Sequence, residues 1–133
     1  MGTVIGMNAT LKFDREIDKN KHYISIGGFE LSSNGETVRF DFIDSYGYVN
    51  KEDARIILFN LEALDEDVFE KCGDKLTKDF CRNIDHIEEF IIFTGEANEP
   101  EILPVELLNV EFIFDDGERI SIKEDVIKEY KLN

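Results

Sequence analysis

Asn34-Gly35, set between two runs of alternating apolar residues, constrains this chain more than any other pair of positions. A type I′ turn needs positive φ at both central residues. Asn-Gly supplies them at little cost and so marks a two-residue β-hairpin loop. Such a loop sets the register. Ser33 faces Glu36, Leu31 faces Val38, Phe29 faces Phe40 and Gly27 faces Phe42, with Thr37, Arg39 and Asp41 on the other side. Upstream, Ile24 and Ile26 have the opposite parity to Phe29 and Leu31. Gly27-Gly28, at the change, predicts a β-bulge.

A second hairpin surrounds Asp115-Asp116-Gly117, where two loops compete. A two-residue Asp116-Gly117 turn pairs Phe112 with Ser121 and scrambles the faces. A three-residue loop with Gly117 in the left-handed region pairs Phe112 with Ile120 and Val110 with Ile122. It also sets Glu111 against Ser121 and Ile113 against Arg119, so segregation of side chains selects it.

A helix is expected from Asp65, which caps an acidic first turn, with Leu64 stapled to Phe69. Val68, Cys72, Leu76, Phe80 and Ile84 follow at intervals of four, flanked by Phe69 and Ile87, and Gly73 weakens the middle. Lys123 to Leu132 reads as a short closing helix with Val126, Ile127 and Tyr130 on one side. Ile87 to Thr94, apolar on both faces, reads as a buried central strand. Ala54 to Leu64 reads as a strand because it is dense in β-formers, the competing reading being a helix capped by Asn50 and Asp53. Thr3 to Phe13 contributes one or two strands more. The expected architecture is α+β, one domain over residues 1–133. A mostly antiparallel twisted sheet of six or seven strands packs on one long helix and the short C-terminal one. A chain of 133 residues buries roughly two-thirds of its unfolded surface, enough for one core.

Several function classes are disfavoured. No apolar run approaches the ~20 residues of a membrane helix, and Met1 to Phe13 lacks the pattern of a secretion signal. Two cysteines make no disulfide framework, so a cytoplasmic setting is expected. There is no phosphate-binding glycine loop and no dinucleotide fingerprint. His86-Ile87-Glu88-Glu89 lacks the second histidine and the spacing of a zinc-protease helix. A zinc site would have to gather His22, Cys72, Cys81 and His86, although Cys72 and Cys81 fall on opposite faces of one helix. Cys81 and His86 would stand about 140° apart on that helix, too far for a nucleophile and its base. Asp14, Glu16, Asp18 and Asn20 alternate as in a calcium loop. Lys19 and Ser25, however, stand where that loop needs Gly and a bidentate Glu, so a polar hairpin connection is the simpler reading. No cofactor is implied.

Charge is the feature left over. The chain carries 30 acids and 15 bases, net −15. Residues 61–118 hold 18 of those acids and four bases, and from Asn83 to Glu118 there are 11 acids and no Lys or Arg. Such a surface disfavours nucleic acid as a direct ligand, because phosphate contacts need cations. It suits a non-enzymatic interaction module that docks, and can inhibit, a basic protein partner by electrostatic steering. Glu96, Glu99, Glu101, Glu106, Asp115, Asp116 and Glu118 are the candidate partner-binding residues. If they share one face, mutual repulsion raises some of their pKa values, and stability rises from pH 7 towards ~5. Two alternatives stand beside this reading. One is a divalent-cation site built from Glu96, Glu99 and Glu101. The other is a ligand-binding or enzymatic domain whose pocket, between sheet and helix, is lined by Tyr23, Phe29, Phe40, Phe42 and Phe112.

Overall fold

The computed structural model describes residues 4–41, 46–62, 75–96 and 103–130. Eight strands form two antiparallel sheets. They are β1 (Val4–Phe13), β2 (His22–Ser33), β3 (Glu36–Asp41), β4 (Tyr46–Val49), β5 (Ile56–Glu62), β6 (Ile84–Glu96), β7 (Val105–Phe114) and β8 (Arg119–Ser121). The five-stranded sheet has the order β4-β5-β1-β7-β8, and the three-stranded sheet has the order β3-β2-β6. Two short helices, α1 (Lys78–Arg82) and α2 (Glu124–Glu129), complete the described residues.

Both hairpins have the expected registers. Phe29 pairs with Phe40 and Leu31 with Val38, around Asn34 at φ 52° and Gly35 at φ 81°. Phe112 pairs with Ile120 and Ile113 with Arg119. The Phe114 N–H donates to the Glu118 carbonyl (2.9 Å), and Gly117, at φ 89°, takes the left-handed position. The parity change in β2 is a bulge, since Ile26 pairs with Ile92 and Gly28 with Ile91, leaving Gly27 as the extra residue. A Cβ at Gly27 would stand 2.5 Å from the Phe93 ring, so the glycine makes room for that ring to cross the strand.

One core joins the inward faces of both sheets. Met7, Ala9, Leu11 and Phe13 of β1 alternate inward and meet Phe59, Val110 and Phe112 from β5 and β7. Phe29 and Phe90 contribute an edge-to-face pair, with ring centroids 4.3 Å apart, from the smaller sheet. Such a pair adds about 1 kcal/mol beyond the area its rings bury.

The long helix is the main correction. Among the described residues no long helix occurs, and the stretch 63–74, including Asp65, Val68, Phe69 and Cys72, lies outside them. What remains is α1. Its N-cap Thr77 accepts from the Phe80 N–H (3.1 Å), and its end is closed where the Asn83 side chain donates to the Asp79 carbonyl (2.8 Å). Ile84 and Ile87, expected on the helical stripe, belong to β6. Two irregularities in the β2–β6 ladder skip Asp85 and Glu88, so the inward residues of β6 are Ile84, Ile87 and Phe90. A strand with two bulges thus repeats every third residue and imitates a helix in sequence.

Three smaller corrections follow. β6 is an edge strand of its sheet, paired with β2 alone among the described residues, and not a central one. The segment around Asp14–Lys21 joins strands of different sheets, so it is no hairpin connection. Among the described residues strands number eight in two sheets, where about six or seven in one were expected. The strand expected at Ala54 to Leu64 is β5. Asn50 and Asp53 cap turns before it, with Asn50 Oδ1 accepting from the Glu52 N–H (2.8 Å) and Asp53 Oδ1 from the Arg55 N–H (3.0 Å).

Candidate functional site

β7 separates the candidate acids into two groups. Glu106 lies at its start and Asp115 just past its end, nine residues apart, which is about 30 Å of extended chain. Asp115, Asp116 and Glu118 belong to the β7–β8 tip. Glu96 ends β6 and sits near the start of β7, because the Leu103 N–H donates to Thr94 Oγ1 (3.1 Å). Glu99 and Glu101 lie outside the described residues. The structure therefore brings Glu96 and Glu106 to one end and the hairpin-tip acids to the other.

The two ends differ electrostatically. At the tip, α1 carries Lys78 and Arg82 one turn apart, and both face the hairpin. Lys78 binds Asp116 and Glu118 (2.7 Å to the latter), and Arg82 binds Glu118. The hydrogen bond from Lys78 holds the Asp116 carboxyl below its ordinary range, and Lys78 and Arg82 together do the same for Glu118. The same contacts raise the Lys78 pKa. The repulsive rise expected of these acids is thus reversed at Asp116 and Glu118, because the bases precede the carboxylate-only stretch in sequence yet fold back onto it. Midway along β7, Glu111 is likewise occupied, by Arg119 (3.1 Å) and Asn8 (3.3 Å).

At the other end compensation is thin. Glu106 stands in register with Lys12, but no Lys or Arg lies within ion-pairing distance of it among the described residues. Glu96 faces His22, whose Nε2 is 3.5 Å away. His22 Nδ1 accepts from the Asp18 N–H (2.9 Å), which fixes the ring and turns Nε2 towards Glu96.

A groove of about 520 Å³ runs along Phe90 to Thr94, walled by Leu103, Val105 and Tyr130, and the acid that lines it, Glu89, is paired with Arg39 (2.9 Å). Sequence reasoning missed it, although the run of apolar residues on both faces of β6 was its signal. Phe93 on the outer face of the strand is 53% exposed. Tyr130 Oη accepts from the Phe90 N–H (2.8 Å), and burial raises the Tyr130 pKa.

The other candidates disperse. No group of three or more His, Cys, Asp or Glu side chains that could hold a metal ion occurs among the described residues. Cys81 is buried on α1, and burial pushes its thiol up to about 12, far from a nucleophile's range. His86 points outward from β6 and pairs with Asp85 (2.9 Å). Of the aromatics expected to line a pocket, Phe29 and Phe112 are packed into the core. Tyr23 is exposed beside a cavity of about 270 Å³ bordered by Lys19 and His22, and Phe42 lies outside the described residues. No described helix is long and apolar enough to cross a membrane. Comparison with models of known families, with curated proteins and with solved structures returns no match.

Proposed function

We propose that this protein is a non-enzymatic interaction module that captures a basic protein partner, and that capture is centred on the end of the molecule bearing Glu96 and Glu106. One observation carries the reading. At the tip, Asp116 and Glu118 are already paired with Lys78 and Arg82, whereas Glu96 and Glu106, two residues beyond Thr94 and next to Val105 of an apolar groove, have no Lys or Arg paired to them among the described residues. Carboxylates beside an apolar surface supply the two parts of a specific interface, steering at the rim and burial at the centre. The high overall acidity supports the same partner class, since a net charge of −15 repels acidic proteins and nucleic acid alike.

The test compares two double variants of equal charge. Glu96→Gln with Glu106→Gln removes the two acids of this end that have no Lys or Arg partner among the described residues. Glu36→Gln with Glu52→Gln removes two exposed acids elsewhere. Stopped-flow association with a Lys-rich basic protein at low salt should slow several-fold for the first pair and little for the second. Equal slowing by both pairs would mean that only net charge matters, and the assignment to this end would fall.

A further inference from the structure

We infer that the outer edge of β6, from Phe90 to Thr94, takes an extended basic segment of the partner as an added β-strand. This rests on the reading above and specifies how the partner is held. The backbone sets the geometry. Phe90 directs its N–H away from β2, to Tyr130 Oη. Because N–H and C=O groups alternate sides along an antiparallel strand, Ile92 and Thr94 direct theirs the same way. Thr94 has other partners, and its Oγ1 holds Leu103. The outward N–H and C=O of Ile92 have none among the described residues.

Proteins blunt such edges with bulges, charge or cover, because an unpaired strand edge recruits other chains. β6 is blunted in its first half by the skipped residues Asp85 and Glu88, and then by Tyr130 at Phe90. From Ile91 to Thr94 β6 skips no residue of its own, although the Gly27 bulge of β2 lies opposite Ile91 and Ile92; this stretch carries no Lys or Pro and lines the groove. That is the arrangement in which an incoming strand gains affinity from main-chain pairing and specificity from alternate side chains. The span from Phe90 to Thr94 is about 13 Å, so four or five residues of partner fit. Side chains on one face of the added strand meet Leu103, Val105 and Tyr130 and should be apolar. Glu96, two residues beyond Thr94, and Glu106, next to Val105, would then favour Lys or Arg elsewhere in the segment. Charge argues against a second copy of this chain as occupant, because two edges of the same acidic end would be brought together.

The experiment uses the full chain and an eight-residue peptide of alternating Lys and Val. Its control is the same peptide with alternate backbone nitrogens methylated, which keeps charge and apolar surface but removes the donors. Binding is read by calorimetry at low salt and by amide-resolved hydrogen exchange. The parent peptide should bind, protect the Ile92 amide and lose several-fold on methylation, as expected when the donor to the Ile92 carbonyl is removed. Equal, salt-sensitive binding of both peptides would overturn strand addition while leaving electrostatic capture standing. Absence of binding by either at low salt would overturn both. Concentration-dependent protection of Ile92 without peptide, with a dimer in sedimentation, would assign the edge to a second copy instead.

Discussion

Replacing Gly117 by Ala isolates one physical quantity, because nothing lies within 4 Å of the Cβ it would add. No packing is gained or lost, and the effect reduces to backbone conformation at φ 89°. An L side chain in that region costs about 1–2 kcal/mol. The same substitution narrows the unfolded ensemble, which offsets about 0.4–1 kcal/mol. The net is a destabilisation of about 0–1.6 kcal/mol, centred on about 0.8 kcal/mol or about 3 °C in Tm for a chain of this size. Gly35 at φ 81°, equally unobstructed, should behave alike. Gly117→Asn should cost less than Gly117→Ala, since Asn34 already occupies such a conformation at φ 52°. Urea titration and thermal melts of the single variants measure this, with an unchanged m-value showing that the unfolded state is comparable. The decisive outcome is the sign. A clearly stabilised Gly117→Ala protein would mean that the residue has an ordinary negative φ, and the three-residue loop would be wrong.

Phe29→Ala and Phe90→Ala should each cost about 3–5 kcal/mol in chemical denaturation, and a double-mutant cycle should return about 1 kcal/mol of coupling from the edge-to-face contact. Asp116 and Glu118 have folded pKa values below their ordinary 3.8 and 4.5, so their stabilising contribution is full above those values and is lost as pH falls through the folded ones. Melting curves from pH 6 to 2.5 should therefore fall more steeply for the native chain than for Lys78→Met, and parallel curves would refute the pairing. In a Cys72→Ser background, Cys81 should resist thiol reagents at pH 8 until the protein unfolds, and rapid native-state labelling would contradict its burial. Tyr130→Phe leaves the Phe90 N–H without its acceptor and should cost about 1 kcal/mol by thermal melting, with faster exchange of that amide.

Both hairpins were legible because turn chemistry is local: Asn34-Gly35 and Gly117 carry their backbone requirement in their own identity, and alternation then follows. What misled was also physical. Ile84, Ile87 and Phe90 recur every third residue because two skipped positions interrupt the pleat, a pattern that periodicity alone assigns to a helix. The division into two sheets was illegible, since it depends on which distant strands meet. The acids were legible as a composition but not as a surface. Lys78 and Arg82 lie just outside the stretch that lacks bases, and the fold returns them to Asp116 and Glu118. The apolar run of β6 marked one wall of the groove, but the other wall is Leu103 and Tyr130 arriving beside Phe90 and Thr94 from later in the chain, and no local pattern announces that.

The place of β1 between β5 and β7 has a consequence for how the molecule is made. Asn8 bonds Glu111, 103 positions further along. At about 5–20 residues per second, the ribosome delivers β7 roughly 5–20 s after β1 has been synthesised. Sheet folding dominated by such distant pairings takes milliseconds to seconds. Translation is therefore the slow step, and the two-residue hairpin of β2 and β3 can close long before β1 acquires its second neighbour. During that interval Val4–Phe13 carries the inward row of Met7, Leu11 and Phe13 with one flank open, in a crowd of nascent copies of the same strand. Conditions that slow elongation between residues 14 and 104 should lower the soluble yield of this protein more than conditions that slow it after residue 114.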